Sequence, residues 1–145
     1  MSTYNKILVA VDVSKEAELV INKAKQLAEQ FASEIILIHV VEPVIIEDGY
    51  NLVPIIDASL EVSLVDRSKA FLQELSKKNG LDSSKLLVTV GSAKTEIHKA
   101  ARDNEIDLIV IGTHGRHGIA MLLGSTANAI LHGAPCDILS VKIIE

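Results

Sequence analysis

Lys6-Ile7-Leu8-Val9-Ala10-Val11-Asp12, KILVAVD, is rich in β-branched residues and almost continuous in hydrophobicity. A strand with one solvated face alternates apolar and polar residues, so a run without alternation belongs to a strand buried on both faces, as in a parallel sheet covered by helices. Working outward, Ser14, a cap candidate, precedes Ala17, Val20, Ile21, Ala24, Leu27, Ala28 and Phe31, whose spacing of three and four predicts a helix. A second strand follows at 34–41 (EIILIHVV). After a long connection, residues 60–78 set Leu64, Phe71, Leu72 and Leu75 on one helical face, and residues 86–90 make a third strand. A short helix at about 95–104, with Ile97, Ala100 and Ala101 inward, leads to a fourth strand at 107–111. A last helix at 125–132, with Ala127, Ile130 and Leu131 inward, leads to a fifth strand at 138–143.

Alternating strands and helices of this kind imply right-handed crossovers and an α/β class: a doubly wound, five-stranded parallel sheet of order 3-2-1-4-5 with helices on both faces. At 145 residues, with no repeat, low-complexity tract or linker, residues 1–145 are expected to form a single domain.

Composition excludes several function classes. Hydrophobic residues at 48% and charged residues at 23% argue against disorder, and no apolar run approaches the ~18 residues of a membrane span. A net charge of −5 and 3% aromatics supply neither the basic footprint nor the stacking surface of a nucleic-acid binder. The start, MSTYNKILVAVD, has no export signal, and the single cysteine, Cys136 beside Pro135, fits a buried small residue in a reducing compartment. A cytoplasmic protein is expected.

In a doubly wound fold, ligands sit beyond the carboxyl ends of the strands where strand order reverses. Two loops fall there: Asp12-Val13-Ser14, and the stretch 112–126, GTHGRHGIAMLLGST. In the second, Gly112 and Gly115 let backbone amides approach a ligand, while Gly124-Ser125-Thr126 opens a helix whose amino end favours an anion such as phosphate. The hydroxyls of Ser125 and Thr126 add donors, and Arg116 is a counter-charge in the same loop. The alternative is purely structural: Ser125 caps the helix and Gly112 permits tight packing. The common phosphate loop and the dinucleotide fingerprint are both missing after strand one, where the chain reads AVDVSKEA.

Taken together, ILVAVDVS, IILIHVVEP and IVIGTHGRHGIAMLLGSTANAILHGAPCDILSV resemble the universal stress protein family across nearly the whole chain. The most diagnostic piece is the carboxyl-terminal motif, which in nucleotide-binding members runs G-x2-G-x9-G-[ST]; members that have lost the glycines hold none. The resemblance implies an adenine nucleotide (ATP, ADP or AMP), with Asp12 and Val40 on the adenine and ribose side and Ala10 and Val11 lining the adjacent strand end. Gly112, Gly115, Gly124, Ser125 and Thr126 then surround ribose and phosphates. This chain departs from the motif: eight residues, Arg116 to Leu123, separate Gly115 from Gly124. The loop is shorter by up to ~3.5 Å of reach, which makes AMP or ADP a serious alternative to ATP. Asp12 is also the carboxylate available for a magnesium ion beside the phosphates, in competition with the ribose.

Other residues with catalytic chemistry read as structural. His114 and His117 have no Cys/His cluster to complete a metal site, His98 and His132 fall on half-exposed helical positions, and His39, inside a strand, is a pocket-wall candidate. Ser125 and His114 share a loop, but no third residue orients the pair as a hydrolase requires. The connection 42–58, EPVIIEDGYNLVPIIDA, is long and apolar enough to plug the core end, cover a nucleotide or meet a protein. The leading function is an adenine-nucleotide-binding regulatory module acting on an unidentified protein partner. The alternatives are a nucleotide-free dimeric interaction protein and, third, a slow ATP hydrolase. The last strand, Ile138 to Ile144, is apolar with no following helix, and as a sheet edge it is expected to pair with itself in a homodimer, as the resemblance also implies.

Overall fold

The computed structural model describes residues 4–42, 45–48, 51–54, 58–81, 83–112 and 128–143. Along the chain these form β1 (Lys6–Ala10), α1 (Ala17–Phe31), β2 (Glu34–Val41), β3 (Ile45–Asp48), β4 (Asn51–Pro54), α2 (Ala58–Lys78), β5 (Lys85–Val90), α3 (Ala93–Asp103), β6 (Leu108–Gly112) and β7 (Asp137–Val141). Residues 128–131 are helical, and the expected start of that helix at Ser125 lies outside the described residues.

Five strands make one parallel sheet in the order β5-β2-β1-β6-β7, the expected 3-2-1-4-5 arrangement once the hairpin strands are set aside. KILVAVD occupies its centre, and Ile7, Leu8 and Val9 are each 0% exposed, so both faces are covered as the missing alternation required. The pleat divides the core in two. Ile7, Val9, Val11, Ile35, Leu37 and Val110 pack under α1 and α2 with Val20, Ile21, Ala24 and Leu72. Leu8, Ile36, Ile38, Ile109 and Ile111 pack under α3 with Ile97, Ala100 and Ala101, joined by Ile130. Burying a side chain of this size contributes roughly 1.5–3 kcal/mol, which is why the fully buried positions of the central strands are all apolar.

Four local expectations are corrected. The long connection 42–58 holds an antiparallel hairpin in which β3 and β4 pair from Ile45 with Pro54 to Asp48 with Asn51. Ser14 does not cap α1: the cap position is Glu16, without a side-chain bond, and the Ser14 hydroxyl donates to Asp12 Oδ1 instead. Leu131 is 50% exposed, since the helix ends there and its flank turns to solvent. His98 is 6% exposed, because its Nε2 lies 2.6 Å from the Ile130 carbonyl and so gives the imidazole a buried partner. The cap of α3, by contrast, has the expected chemistry: Ser92 Oγ accepts from the Thr95 N–H.

Candidate functional site

The chain leaves β1 for α1 on one face of the sheet, whereas after β6 it returns through Ile130 on the opposite face. β1 and β6 are hydrogen-bonded neighbours, so the point at which strand order reverses, where ligands of such folds sit, lies between their carboxyl ends. Ala10, Val11 and Asp12 stand on one side of it and Gly112 on the other, with Val40 at the end of the next strand, β2.

The strand ends are pinned unequally. Val11 lies one residue beyond β1, yet its N–H still donates to the Ile38 carbonyl at 2.9 Å. Its own carbonyl leaves the ladder and stands 2.8 Å from Nδ1 of His39. On the other side of β2, the Val41 carbonyl accepts from the Gly91 N–H at 3.0 Å. Backbone groups alternate direction along a strand, so the bond at Ile38 fixes the even residues of β2 toward β1, and the bond at Val41 fixes the odd ones toward β5. Val40 therefore aims its N–H and C=O toward the β1 side at the point where β1 has ended. Among the described residues neither group has a hydrogen-bond partner.

Asp12, partly buried, follows directly and holds the Ser14 hydroxyl on Oδ1. Ala10 and Val40 pack against the cluster under α3, on the other face of the sheet from Val11. Val11, which is expected to line the strand end, has its side chain buried with α1, and its backbone groups bond to Ile38 and His39.

Gly112 has a packing reason of its own. A β-carbon there would stand 3.1 Å from Cγ2 of Val20 and 3.4 Å from Ile143, so α1 closes on the bare backbone. Gly115, Arg116, Gly124, Ser125 and Thr126, with His114 and His117, lie outside the described residues. Thr89 went unnoticed in the sequence; it stands opposite Val40 in register and carries a buried hydroxyl with no partner among the described residues. Nothing in a β-strand pattern distinguishes such a threonine from a packing residue.

The opposite rim of the sheet is closed by its own side chains. Asp107 Oδ2 accepts from the N–H groups of Asn5 at 2.8 Å and Lys6 at 3.0 Å, and the Tyr4 hydroxyl donates to Asp137 Oδ2 at 2.9 Å. A depression of about 350 Å³ at that rim is lined by Lys25, Glu29, Ser33, Glu34 and Ser84 among others, a mixture of charges that converges on no single ligand chemistry. Among the described residues, no helix is long and apolar enough to cross a membrane.

The Universal stress protein family profile matches residues 3–142. Universal stress protein A homolog 2 of Coxiella burnetii is 38% identical over 146 residues, covering 99% of this chain and 98% of its own length. Among solved structures, the hypothetical protein MJ0577 superposes with a TM-score of 0.78 at 24% identity, covering 99% of each chain. A universal stress protein solved in complex with cAMP superposes at 0.67 with 20% identity, covering 95% of this chain and 96% of that one.

Proposed function

This chain belongs to the universal stress protein family, and we propose that within it the protein is a regulatory module that binds an adenine nucleotide beyond the carboxyl ends of β1, β2 and β6. The observation that carries the reading is the open backbone pair of Val40. A carbonyl acceptor and an amide donor on one residue match the edge of adenine, whose exocyclic amine donates and whose neighbouring ring nitrogen accepts. Guanine offers a carbonyl and an N–H in the corresponding places, so the same pair rejects it by leaving buried groups unpaired. Asp12 is within the same strand-end cluster, and its carboxylate suits a ribose hydroxyl. The family member solved with cAMP supports an adenine nucleotide as the class of ligand.

The motif glycines Gly115 and Gly124, with Ser125, Thr126 and Arg116, are proposed to meet the phosphates. The eight-residue spacer between Gly115 and Gly124 makes AMP or ADP a serious alternative to ATP, and a magnesium ion would have to share Asp12 with the ribose. Binding rather than turnover is proposed, since the His39 imidazole at the same strand ends is committed to a carbonyl. Occupancy is proposed to change the surface that a cytoplasmic partner meets, and the open edge strand β7 is proposed to pair in a homodimer.

Calorimetric titration with AMP, ADP, ATP and GMP tests the reading. Adenine nucleotides are expected to bind more tightly than GMP, and Asp12→Ala to weaken them by more than tenfold. No heat from any adenine nucleotide at millimolar concentration would favour the second reading, a nucleotide-free interaction protein. Gly112, which packing alone explains, is compatible with that alternative.

A further inference from the structure

We infer that His39 is a positioning residue: by taking the Val11 carbonyl it ends the β1–β2 ladder one rung early and leaves the Val40 N–H for the base of the nucleotide. The inference rests on the adenine-nucleotide reading and adds the residue that keeps its recognition edge open.

The ladder itself defines what His39 interrupts. Ala10 pairs with Ile38 in register, and Val11 donates to the Ile38 carbonyl. The next rung of a continuing parallel ladder would carry the Val40 N–H to the Val11 carbonyl. That carbonyl faces the His39 imidazole at 2.8 Å instead. A carbonyl oxygen only accepts, so Nδ1 must carry the hydrogen and donate it. The Val11 carbonyl is thereby satisfied without Val40, and the missing rung costs only the Val40 amide, which a ligand can repay. The arrangement also fixes where the chain turns off β1, because the Val11 peptide is held to β2 through both its N–H and its C=O.

An apolar residue at 39 would orphan the Val11 carbonyl, and the nearest remedy is to close the rung with the Val40 N–H. Asparagine places an amide donor on the same γ-branch as Nδ1 and should restore the native arrangement, whereas a residue needed only to fill space would be replaced better by leucine.

Two measurements test this. Long-range 15N–1H correlation on the ligand-free protein is expected to show His39 protonated at Nδ1; an unprotonated Nδ1 would overturn the inference before any ligand is added. Titration of wild type, His39→Leu and His39→Asn follows. AMP affinity is expected to fall at least tenfold in His39→Leu and to return within threefold of wild type in His39→Asn. Affinity for ribose 5-phosphate, which lacks the base, should shift by less than threefold in either variant. Equal AMP affinity in wild type and folded His39→Leu would remove the inference and leave the nucleotide reading intact. Wild type that takes no AMP would remove both. Should His39→Leu fail to fold, the tautomer and His39→Asn still decide the matter: loss of AMP binding in a folded asparagine variant contradicts the proposed role.

Discussion

Gly112 and Val20 are pressed together so closely that a β-carbon at 112 would sit 3.1 Å from Val20 Cγ2, tighter than ordinary van der Waals contact. The first glycine of the family motif therefore has a duty to the α1–β6 packing that is independent of any ligand. Val20 is itself part of the core beneath α1, so it has little room to retreat.

Gly112→Ala is accordingly expected to destabilise the fold by about 1–3 kcal/mol, the usual cost of overpacking, and Gly112→Val by more. Urea denaturation monitored by circular dichroism measures it. An alanine variant as stable as wild type would mean that α1 shifts freely over β6, and the glycine would then have to be explained by a ligand.

A second expectation concerns alkaline pH. The Tyr4 phenol is held above its ordinary 10.0, first by its hydrogen bond to Asp137 and then by burial and the Asp137 charge. Burial is the leading cause that pushes the Cys136 thiol above its ordinary 9.0, with the Asp137 and Asp107 carboxylates adding to it. Both groups are acids favoured in their neutral form by the fold. Their contribution is fully present below the unfolded values and is lost as pH rises through the raised folded ones. The urea midpoint should therefore hold level at neutral pH and decline from about pH 9 upward, with Tyr4→Phe showing the shallower decline. Identical alkaline profiles for wild type and Tyr4→Phe would mean that the Tyr4–Asp137 bond contributes nothing in solution.

The parts of the fold that depend on local pattern were legible in the sequence. KILVAVD announced a two-sided strand because nothing in it alternates, and the three-and-four spacing from Ala17 to Phe31 fixed both the extent and the buried face of α1. What escaped was set by partners distant in sequence or by the ends of elements. His98 is buried because a carbonyl 32 positions away accepts it, and no window around His98 contains that fact. Leu131 continues the apolar run of Ile130, but the helix stops there and its last flank faces solvent. Ser14 had the chemistry of a cap two positions too early and turned back to Asp12. At the candidate site, Asp12 and Val40 could be named from the resemblance, but the direction of the Val40 backbone groups could not. That direction follows from the register of β2 against both neighbours, a relationship among three strands.

The last prediction concerns β7, which the topology leaves at one edge of the sheet. Asp107 donates its N–H to the Lys6 carbonyl, so odd residues around β6 face β1 and even ones face β7. Leu108 pairs with Asp137 and Gly112 with Val141, and in a parallel ladder the partners of such bonded residues point their own N–H and C=O groups the other way. The backbone groups of Leu139 and Val141 thus face outward, a row of donors and acceptors suited to a second copy of the strand about a two-fold axis. Val141→Pro removes one outward N–H without breaking a bond to β6 and is compatible with an edge position. Because the Val141 side chain is buried beneath α1, some loss of stability is expected too, so folding must be verified by circular dichroism alongside assembly. In analytical ultracentrifugation at tens of micromolar, wild type is expected to sediment as a dimer and the folded variant to shift toward monomer. A monomeric wild type would refute self-pairing at β7. A folded variant that remains dimeric would move the interface to another surface, with the β3–β4 hairpin the next to be tested.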